Sequence, residues 1–413
     1  MKVVHSGLAV VASVLMLTSV AQAGDPLKIG LIETLSGPSA ATGLARKKST
    51  QFAIDKLNQA GGFNGEKIVL VEYNSGGTPA GAVSKFQQAA AEGVNIVVQG
   101  SSSAIASALT VAVRDHNRAN PGKEVLYINA GAEAQELTGD LCHFYHFRAS
   151  GTAPARIKAL AMVMKEEGAL GKRVYSINQD YNYGQDVENA IVENEGVGGY
   201  KVVDKVMHPV NRTQDFTPFV DKIKAAAPDT VITGNWGNDL LLLMRAVSDA
   251  SIKVRFGTIY LDQPGNLSNA GETALGHYVV QPYNVDVTNS TVAAEYEAYS
   301  GHVPAYVEPP GIFAILHLGK ALAKIDSKGG PIDVKKIALA LESTALETDL
   351  GPRSFRKEDH QLLLPLVVSR VEKGVKHLVD GTDMGFKPVK VIPADQIVNP
   401  IQPSCKMERP EGA

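Results

Sequence analysis

The sequence predicts an α/β protein made of two doubly wound parallel-sheet lobes. Short apolar runs of strand length alternate with amphipathic runs of helix length along most of the 413 residues. Such alternation is typical of parallel sheets that helices cover on both faces. The alternation comes in two consecutive series that meet near residue 150. A chain of this length also exceeds one typical domain and favours two.

The first series occupies residues 27–130. Its opening run, "LKIGLIETL", is predicted as a buried strand because it is almost wholly apolar and ends at the turn Ser36-Gly37-Pro38. The segment 44–62 is predicted as an amphipathic helix that Gly61-Gly62 closes. By the same criteria, further strands are predicted at 67–74, 95–100 and 125–130, and further helices at 79–93 and 104–118.

The second series repeats this architecture without repeating its sequence. Helices are predicted at 153–168, 184–196, 216–228 and 239–251, and strands at 173–179, 200–209, 230–234 and 256–261. A third segment adds helices at 293–302, 311–326 and 332–344, and then a strand pair or one long strand at 362–374.

The first residues predict export. Lys2 is followed by an apolar run from Gly7 to about Val20 and by the small residues Ala21–Ala23. This pattern is a secretory signal peptide, cleaved after Ala23, and its apolar run is too short to span a bilayer. We therefore expect a mature chain of residues 24–413 in the periplasm.

Charge and cysteine content narrow the function classes. The net charge of −3 provides neither the basic surface that nucleic acid requires nor an anchor for anionic lipid. Cys142 and Cys405 are an even pair in an exported chain, which favours a disulfide that staples the C-terminal tail. The alternative is two free thiols.

Ligands of open α/β sheets bind beyond the carboxyl ends of the strands, so the strand-to-helix loops are the expected site. These loops are unusually rich in Gly, Ser, Asn, aromatic residues and carboxylates, and they span 36–43, 99–104, 129–138, 179–186, 234–239 and 261–266. Trp236, the sole tryptophan, lies in one of them. We expect it to cover a ligand face, the alternative being that it packs under the following helix.

The loops lack the motifs of an enzyme. They contain no phosphate-binding or dinucleotide-binding glycine pattern, and "GSSSA" lacks the final glycine of a nucleophile elbow. Ser102 and Ser103 are expected to donate hydrogen bonds to a ligand at a helix N-terminus, where free amides favour an anionic group. Their alternative role is helix capping. We predict neither catalysis nor a cofactor.

Several other polar residues have two interpretations. The spacing of Cys142, His143 and His146 is not a standard zinc spacing, so no metal site is expected. The segment is predicted instead to be a strand with alternating exposed histidines. Glu133 and Asp262 are either solvated loop charges or partners of a ligand ammonium group. Tyr183 is expected in the pocket wall, the alternative being the edge of the core.

The loop sequences together resemble a known family. Behind the signal peptide, five segments occur in a fixed order: "IGLIETLSGPSAATG", "SSSA", "INAGAEAQELT", "DYNYGQD" and "DLGPRSFRKEDHQ". This series resembles the type I periplasmic solute-binding proteins of branched-chain amino acid ABC transporters, the leucine/isoleucine/valine-binding group. The resemblance covers nearly the whole mature chain. It is more specific for the superfamily than for the ligand.

The resemblance implies two lobes joined by a three-strand hinge. Lobe one would be 24–148 plus 279–352, lobe two would be 149–278 plus 353–394, and the tail 395–413 would wrap outside. Ligand-binding positions would be occupied by Ser103, Ala132, Glu133, Tyr183, Trp236 and Asp262. The resemblance implies threonine at the position of Glu133. The glutamate adds a negative charge and removes a hydroxyl donor, so a larger or more cationic ligand fits at least as well as a leucine-type amino acid.

The function implied is that of a periplasmic solute-binding subunit of an ABC importer. A monomer would capture an amino acid, an amide or an aromatic acid by hinge closure and then dock on a membrane permease. Two alternatives remain, a ligand-sensing receptor module of the same fold and a secreted α/β hydrolase.

Overall fold

The computed structural model describes residues 25–37, 40–325 and 331–413, together with Met1 and Val3. The predicted signal peptide and its cleavage after Ala23 lie outside the described residues. Among the described helices, none has the length and apolar character needed to cross a membrane.

Lobe one is built on a parallel five-stranded sheet with the order β2-β1-β3-β4-β5. Strand β1 pairs with β2 on one side and β3 on the other, so that Ile29 lies opposite Leu70 and Ile96. The strands are β1 (Lys28–Glu33), β2 (Val69–Asn74), β3 (Ile96–Gln99), β4 (Leu126–Asn129) and β5 (His146–Arg148). The helices between them are α1 (Ala40–Gln59), α2 (Pro79–Ala91) and α3 (Ser103–Ala119).

Lobe two is built on a mixed seven-stranded sheet with the order β15-β14-β10-β9-β8-β6-β7. Its parallel strands are β6 (Arg173–Gln179), β7 (Lys201–His208), β8 (Thr230–Thr233), β9 (Arg255–Thr258) and β10 (Tyr278–Gln281). Its helices are α4 (Ala153–Glu166), α5 (Asn182–Glu193), α6 (Glu195–Gly198), α7 (Thr217–Ala226), α8 (Asn238–Asp249) and α9 (Asn266–Ala270).

After β10 the chain returns to lobe one and then leaves it again. The returning helices pack on α1 and on each other, and they are α10 (Thr291–Ser300), α11 (Glu308–Leu322) and α12 (Val334–Glu342). A small antiparallel sheet follows, with β11 (Ala345–Thr348), β12 (Gly351–Phe355) and β13 (Leu362–Leu363). The chain then completes the seven-stranded sheet with the antiparallel strands β14 (Leu366–Lys373) and β15 (Met384–Ile392).

The predicted alternation of strands and helices is confirmed, and the differences have local causes. Strand β5 was missed because its three residues are too few to show a period. Strand β15 was missed because Gly385, Pro388 and two lysines interrupt it, as an edge strand tolerates. Helix α11 begins earlier than predicted because Pro309 and Pro310 occupy its first turn, where the missing amide donors are not needed.

The prediction for the two histidines after Cys142 was wrong. His143 and His146 are both buried rather than alternately exposed, with 7% and 1% of their surface accessible. Only His146 belongs to a strand, and its ring stacks on Tyr127 with centroids 5.0 Å apart. Burial lowers the pKa of His143 to about 3, which keeps the ring neutral. The segment therefore contributes to packing in lobe one.

The C-terminal tail crosses back from lobe two to lobe one. Helix α13 (Ala394–Ile397) packs against α4. The side chain of Asn399 then accepts a hydrogen bond from Thr152, which lies between β5 and α4, and the carbonyl of Asn399 accepts one from Arg356. Beyond Asn399 a disulfide joins Cys405 to Cys142 in lobe one. The tail thus spans the region in which the chain passes between the sheets.

The disulfide is expected to stabilise the folded chain. Its two cysteines are 263 positions apart, so oxidation restricts a very long loop of the unfolded chain. The variant Cys142→Ser/Cys405→Ser should lower the free energy of unfolding by about 2–4 kcal/mol in urea denaturation. Thiol titration of the denatured, unreduced wild type should find no free thiol, and two titratable thiols per chain would contradict the assignment.

Candidate ligand-binding site

A cleft lies between the two lobes, at the carboxyl ends of their parallel strands, with about 720 Å³ of empty space that includes space open to solvent. All seven residues predicted from the sequence to bind ligand line it, namely Ser102, Ser103, Ala132, Glu133, Tyr183, Trp236 and Asp262. The topology rule for open α/β sheets therefore located the cleft correctly. Which of these side chains contacts a ligand stays a prediction.

Ser103 presents a hydrogen-bond donor to the cleft. Its hydroxyl oxygen accepts hydrogen bonds from the amides of Glu133 and Ala134, each at 3.2 Å. A serine hydroxyl has two acceptor sites and one hydrogen, so its remaining capacity is to donate. Ser102 precedes the first residue of α3, and its side chain makes no capping hydrogen bond. The start of α3 thus offers hydroxyl and amide donors together.

A buried ion pair supports the loops of lobe one behind these donors. Arg46 Nε lies 3.0 Å from Glu33 Oε1, and both side chains are almost inaccessible. The guanidinium also donates to the carbonyls of Ala130 and Gly100, which fixes the loops after β4 and β3. Gly131 is required here, because a Cβ atom at that position would lie 2.6 Å from Arg46 Nη2.

Glu133 is buried and forms an ion pair that crosses between the lobes. Its Oε1 lies 2.5 Å from Nη2 of Arg156 in α4, and Arg156 also donates to the carbonyl of Val280 in β10 at 3.0 Å. Burial raises the pKa of Glu133, and the adjacent guanidinium opposes that rise. Glu133 is buried and Arg156 supplies its opposite charge, so the alternative of a solvated loop charge was wrong.

Asp262 and Arg353 are the acid and the base of the cleft that form no ion pair within the described residues. Asp262 is half-buried and accepts a hydrogen bond from Gln281 Nε2 at 3.0 Å, and burial raises its pKa to about 6. Arg353 is 2% exposed, donates to the carbonyl of Pro282 at 3.2 Å, and lies 4.3 Å from the ring centroid of Phe313.

Aromatic side chains form much of the remaining wall. Trp236 is half-buried, and its indole N–H donates to the hydroxyl of Tyr181 at 2.8 Å. Tyr183 is buried with its hydroxyl lacking a partner among the described residues, and Tyr260 and Tyr306 continue the wall with ring centroids 6.0 Å apart. Trp236 thus lines the cleft, although it also packs partly against the core.

Sequence reasoning missed Arg353, Arg156, Tyr260 and Tyr306. Arg353 comes from β12, which follows the return of the chain to lobe one, rather than from a strand-to-helix loop. The available signal for Arg353 was its position between apolar segments in "DLGPRSF". An arginine buried there needs a polar partner, and a ligand can be that partner. Arg156 lies inside a helix that was assigned only a covering role.

Comparison with known proteins decides the family. A family model described as a periplasmic binding protein matches residues 26–376.

The chain belongs to the periplasmic binding protein family.

Similar proteins cover almost the whole of this periplasmic binding protein. The Leu/Ile/Val-binding protein homolog 4 of Brucella abortus is 50% identical over 389 residues, which is 94% of each chain. A leucine-, isoleucine-, valine-, threonine- and alanine-binding protein of Brucella ovis, solved in a closed conformation, is also 50% identical, with a TM-score of 0.89 over 94% of this chain and 100% of that one. The resemblance identified from the loops is therefore confirmed.

More distant structures share the fold alone. A solute-binding protein of Rhodopseudomonas palustris BisB5, solved with 3,4-dihydroxybenzoic acid, is 21% identical with a TM-score of 0.76 over 89% of this chain and 98% of that chain. Proteins of this family bind solutes for ABC transporters and are not enzymes. The present chain is thus a periplasmic solute-binding protein, and the alternative of a secreted hydrolase is wrong.

The Glu133–Arg156 pair is expected to respond non-additively to substitution. Arg156→Met should lower the free energy of unfolding by about 3–5 kcal/mol, because it leaves Glu133 buried without a counter-charge. Glu133→Gln/Arg156→Met removes both charges and should recover most of that loss, as measured by urea denaturation.

The matched control is Arg245→Met, which breaks an exposed ion pair with Asp249 and should change stability by no more than about 1 kcal/mol. Equal losses in the single and double variants of the buried pair would contradict the role of Arg156 as the counter-charge.

Trp236 is expected to report ligand binding. Because it is the sole tryptophan and lines the cleft, its fluorescence emission should change when the ligand binds. Trp236→Ala should keep the circular dichroism spectrum of the fold and weaken binding by roughly 2 kcal/mol in calorimetry, as for a central aromatic anchor. A ligand that leaves the emission unchanged and binds Trp236→Ala equally well would place this indole outside the binding site.

Proposed function

We propose that this protein captures a free amino acid in its zwitterionic form and delivers it to an ABC permease. The observation that carries the proposal is the charge balance of the cleft. The acids and bases in the two buried ion pairs neutralise each other, whereas Asp262 and Arg353 remain without an ion-pair partner among the described residues. A ligand with one positive and one negative group offsets both charges.

The donors at the start of α3 support binding of the ligand carboxylate. The free amides and the helix dipole of a 17-residue helix favour an anion at that end. Ser103 adds a hydroxyl whose acceptor sites are already occupied by two amides, so it is preset to donate. Such a donor favours a carboxylate over a ligand group that must itself donate.

Asp262 and the aromatic wall support binding of the ligand ammonium group. An ionised carboxylate attracts the ammonium, and the tyrosine faces nearby stabilise a cation further. The ring of Tyr260 already has the Arg156 guanidinium 5.5 Å from its centroid, which indicates that this wall accommodates positive charge. The side chain of the amino acid would then lie against Trp236 and Tyr183.

This charge balance favours an amino acid over an aromatic acid. The Brucella ovis relative is described as binding leucine, isoleucine, valine, threonine and alanine, and the Rhodopseudomonas palustris protein was solved with a dihydroxybenzoic acid. A benzoic acid carries no ammonium group and would leave Asp262 without a counter-charge in the closed cleft. The cost of an unpaired buried charge therefore selects against it.

Delivery follows from closure of a monomer around the hinge. We propose the lobes as 24–148 plus 279–352 and 149–278 plus 353–394, with the tail 395–413 outside them and with maturation after Ala23. Ligand that contacts both lobes stabilises the closed form relative to the open one. The closed form is then the species that the permease recognises.

Asp262 gives the proposal a pH signature. Its pKa is raised to about 6, and only its ionised form attracts an ammonium group. Affinity for an amino acid should therefore be full above about pH 7 and fall as the pH decreases through about 6, by up to roughly tenfold per unit. Calorimetry with the twenty common amino acids, and with benzoate as the anionic comparison, measures both the ligand class and this profile.

The variant Asp262→Asn is the control for the pH signature. It should weaken amino-acid binding by about 2–5 kcal/mol and remove the dependence near pH 6, while binding of benzoate should not weaken. A wild type that binds benzoate and none of the amino acids, or a pH profile that is identical in Asp262→Asn, would overturn the proposed ligand class.

A further inference from the structure

Two side chains of α5 connect the lobes at the edge of the cleft. Asn182 Nδ2 lies 2.8 Å from Oε1 of Glu136 and 3.3 Å from Oγ of Ser107. One turn further along the helix, Asp186 Oδ2 accepts a hydrogen bond from the backbone amide of Gln135 at 2.7 Å. Residues four apart lie on the same helix face, so α5 presents both groups to lobe one together.

The lobe-one side of this contact is itself ordered. Ser107 Oγ lies 2.5 Å from Glu136 Oε1 and 2.8 Å from the carbonyl oxygen of Ser103, one turn earlier in α3. Gln135 and Glu136 belong to the short 3₁₀ turn that follows Glu133. The hydrogen-bond partners of Asn182 and Asp186 therefore lie in α3 and in the 3₁₀ turn, next to the predicted site for the ligand carboxylate.

None of these five contact residues lines the cleft. The first residues of the same helix region do so, because Tyr181 and Tyr183 form part of the aromatic wall. Asn182 and Asp186 hence affect a bound ligand through the position of the lobes rather than by touching it. Their contacts run between lobes that separate when the cleft opens, so opening breaks all of them.

We propose that Asn182 and Asp186 form a latch that is specific to the closed state and slows ligand release. The latch is defined by Asn182 and Asp186 on lobe two and by Ser107, Gln135 and Glu136 on lobe one. It rests on ligand capture by closure and does not depend on which amino acid binds. Its contacts involve two carboxylates, and hydrogen bonds to charged groups are the stronger class. Because they oppose opening, their loss acts mainly on the dissociation rate.

The first test compares the double variant Asn182→Ala/Asp186→Ala with wild type. The probe is an equimolar mixture of the common L-amino acids without tryptophan and tyrosine, whose own fluorescence would mask the signal, and release on dilution is followed by the fluorescence of Trp236 in stopped flow. We expect release to be faster by about tenfold or more. The thermal unfolding temperature of the ligand-free protein should stay close to that of wild type, since only the closed fraction of the ligand-free protein forms these contacts.

Three further variants separate a latch from a general effect on α5. Gln185→Ala is the matched control, because within the described part of the chain the side chain of Gln185 forms a hydrogen bond only with Asp180 of its own lobe. Asp186→Asn keeps an acceptor for the Gln135 amide but removes its charge, so its release rate should lie between those of wild type and the double variant. Asn182→Asp places a carboxylate opposite Glu136 and should accelerate release more than Asn182→Ala does.

A ligand-independent measurement completes the test. Distances between spin labels, one on each lobe, are compared by double electron–electron resonance in ligand-free wild type and in the double variant. We expect the variant to lose the short-distance, closed population. Equal release rates in the two proteins overturn the latch. If the mixture binds to neither protein, the proposed ligand class is wrong. The spin-label distances then test the latch by themselves, and identical distance distributions in the two proteins would overturn it.

Discussion

The Glu133–Arg156 ion pair is the interaction on which the arrangement of the two lobes depends. Glu133 follows β4 of lobe one, Arg156 lies in the first helix of lobe two, and the same guanidinium holds the carbonyl of Val280 in β10. One cation therefore joins two of the chain's passages between the sheets. Both charges are buried, so each requires the other, and the backbone amide of Glu133 in turn orients the hydroxyl of Ser103.

Electrostatic pairing also explains how the cleft can accommodate a buried carboxylate at position 133. A glutamate at position 133 would disfavour a ligand carboxylate if it stood alone. Arg156 compensates it, so the net charge that a ligand meets is set by Asp262 and Arg353. Substituting Glu133 alone would leave Arg156 without its counter-charge, which is why specificity does not follow from single positions.

The sequence predicted the architecture and the location of the cleft because both follow from local patterns. Strand and helix periods are properties of short segments, and the carboxyl ends of parallel strands meet at one edge by topology. The partners of the charged residues were not predictable in this way. Glu133 and Arg156 are 23 positions apart on different lobes, and Arg353 reaches the cleft from β12. Short strands such as β5 were missed because three residues cannot display a period.

The disulfide between Cys142 and Cys405 makes the oxidised chain a covalent ring that contains all of lobe two and every passage between the lobes. A protease that cuts once anywhere inside this ring, including an exposed loop such as the one around Gly374, leaves both fragments in one molecule. The fragments remain linked at lobe one even if the noncovalent contacts of the tail open. A nicked protein of this kind would keep its full mass until it meets a reductant.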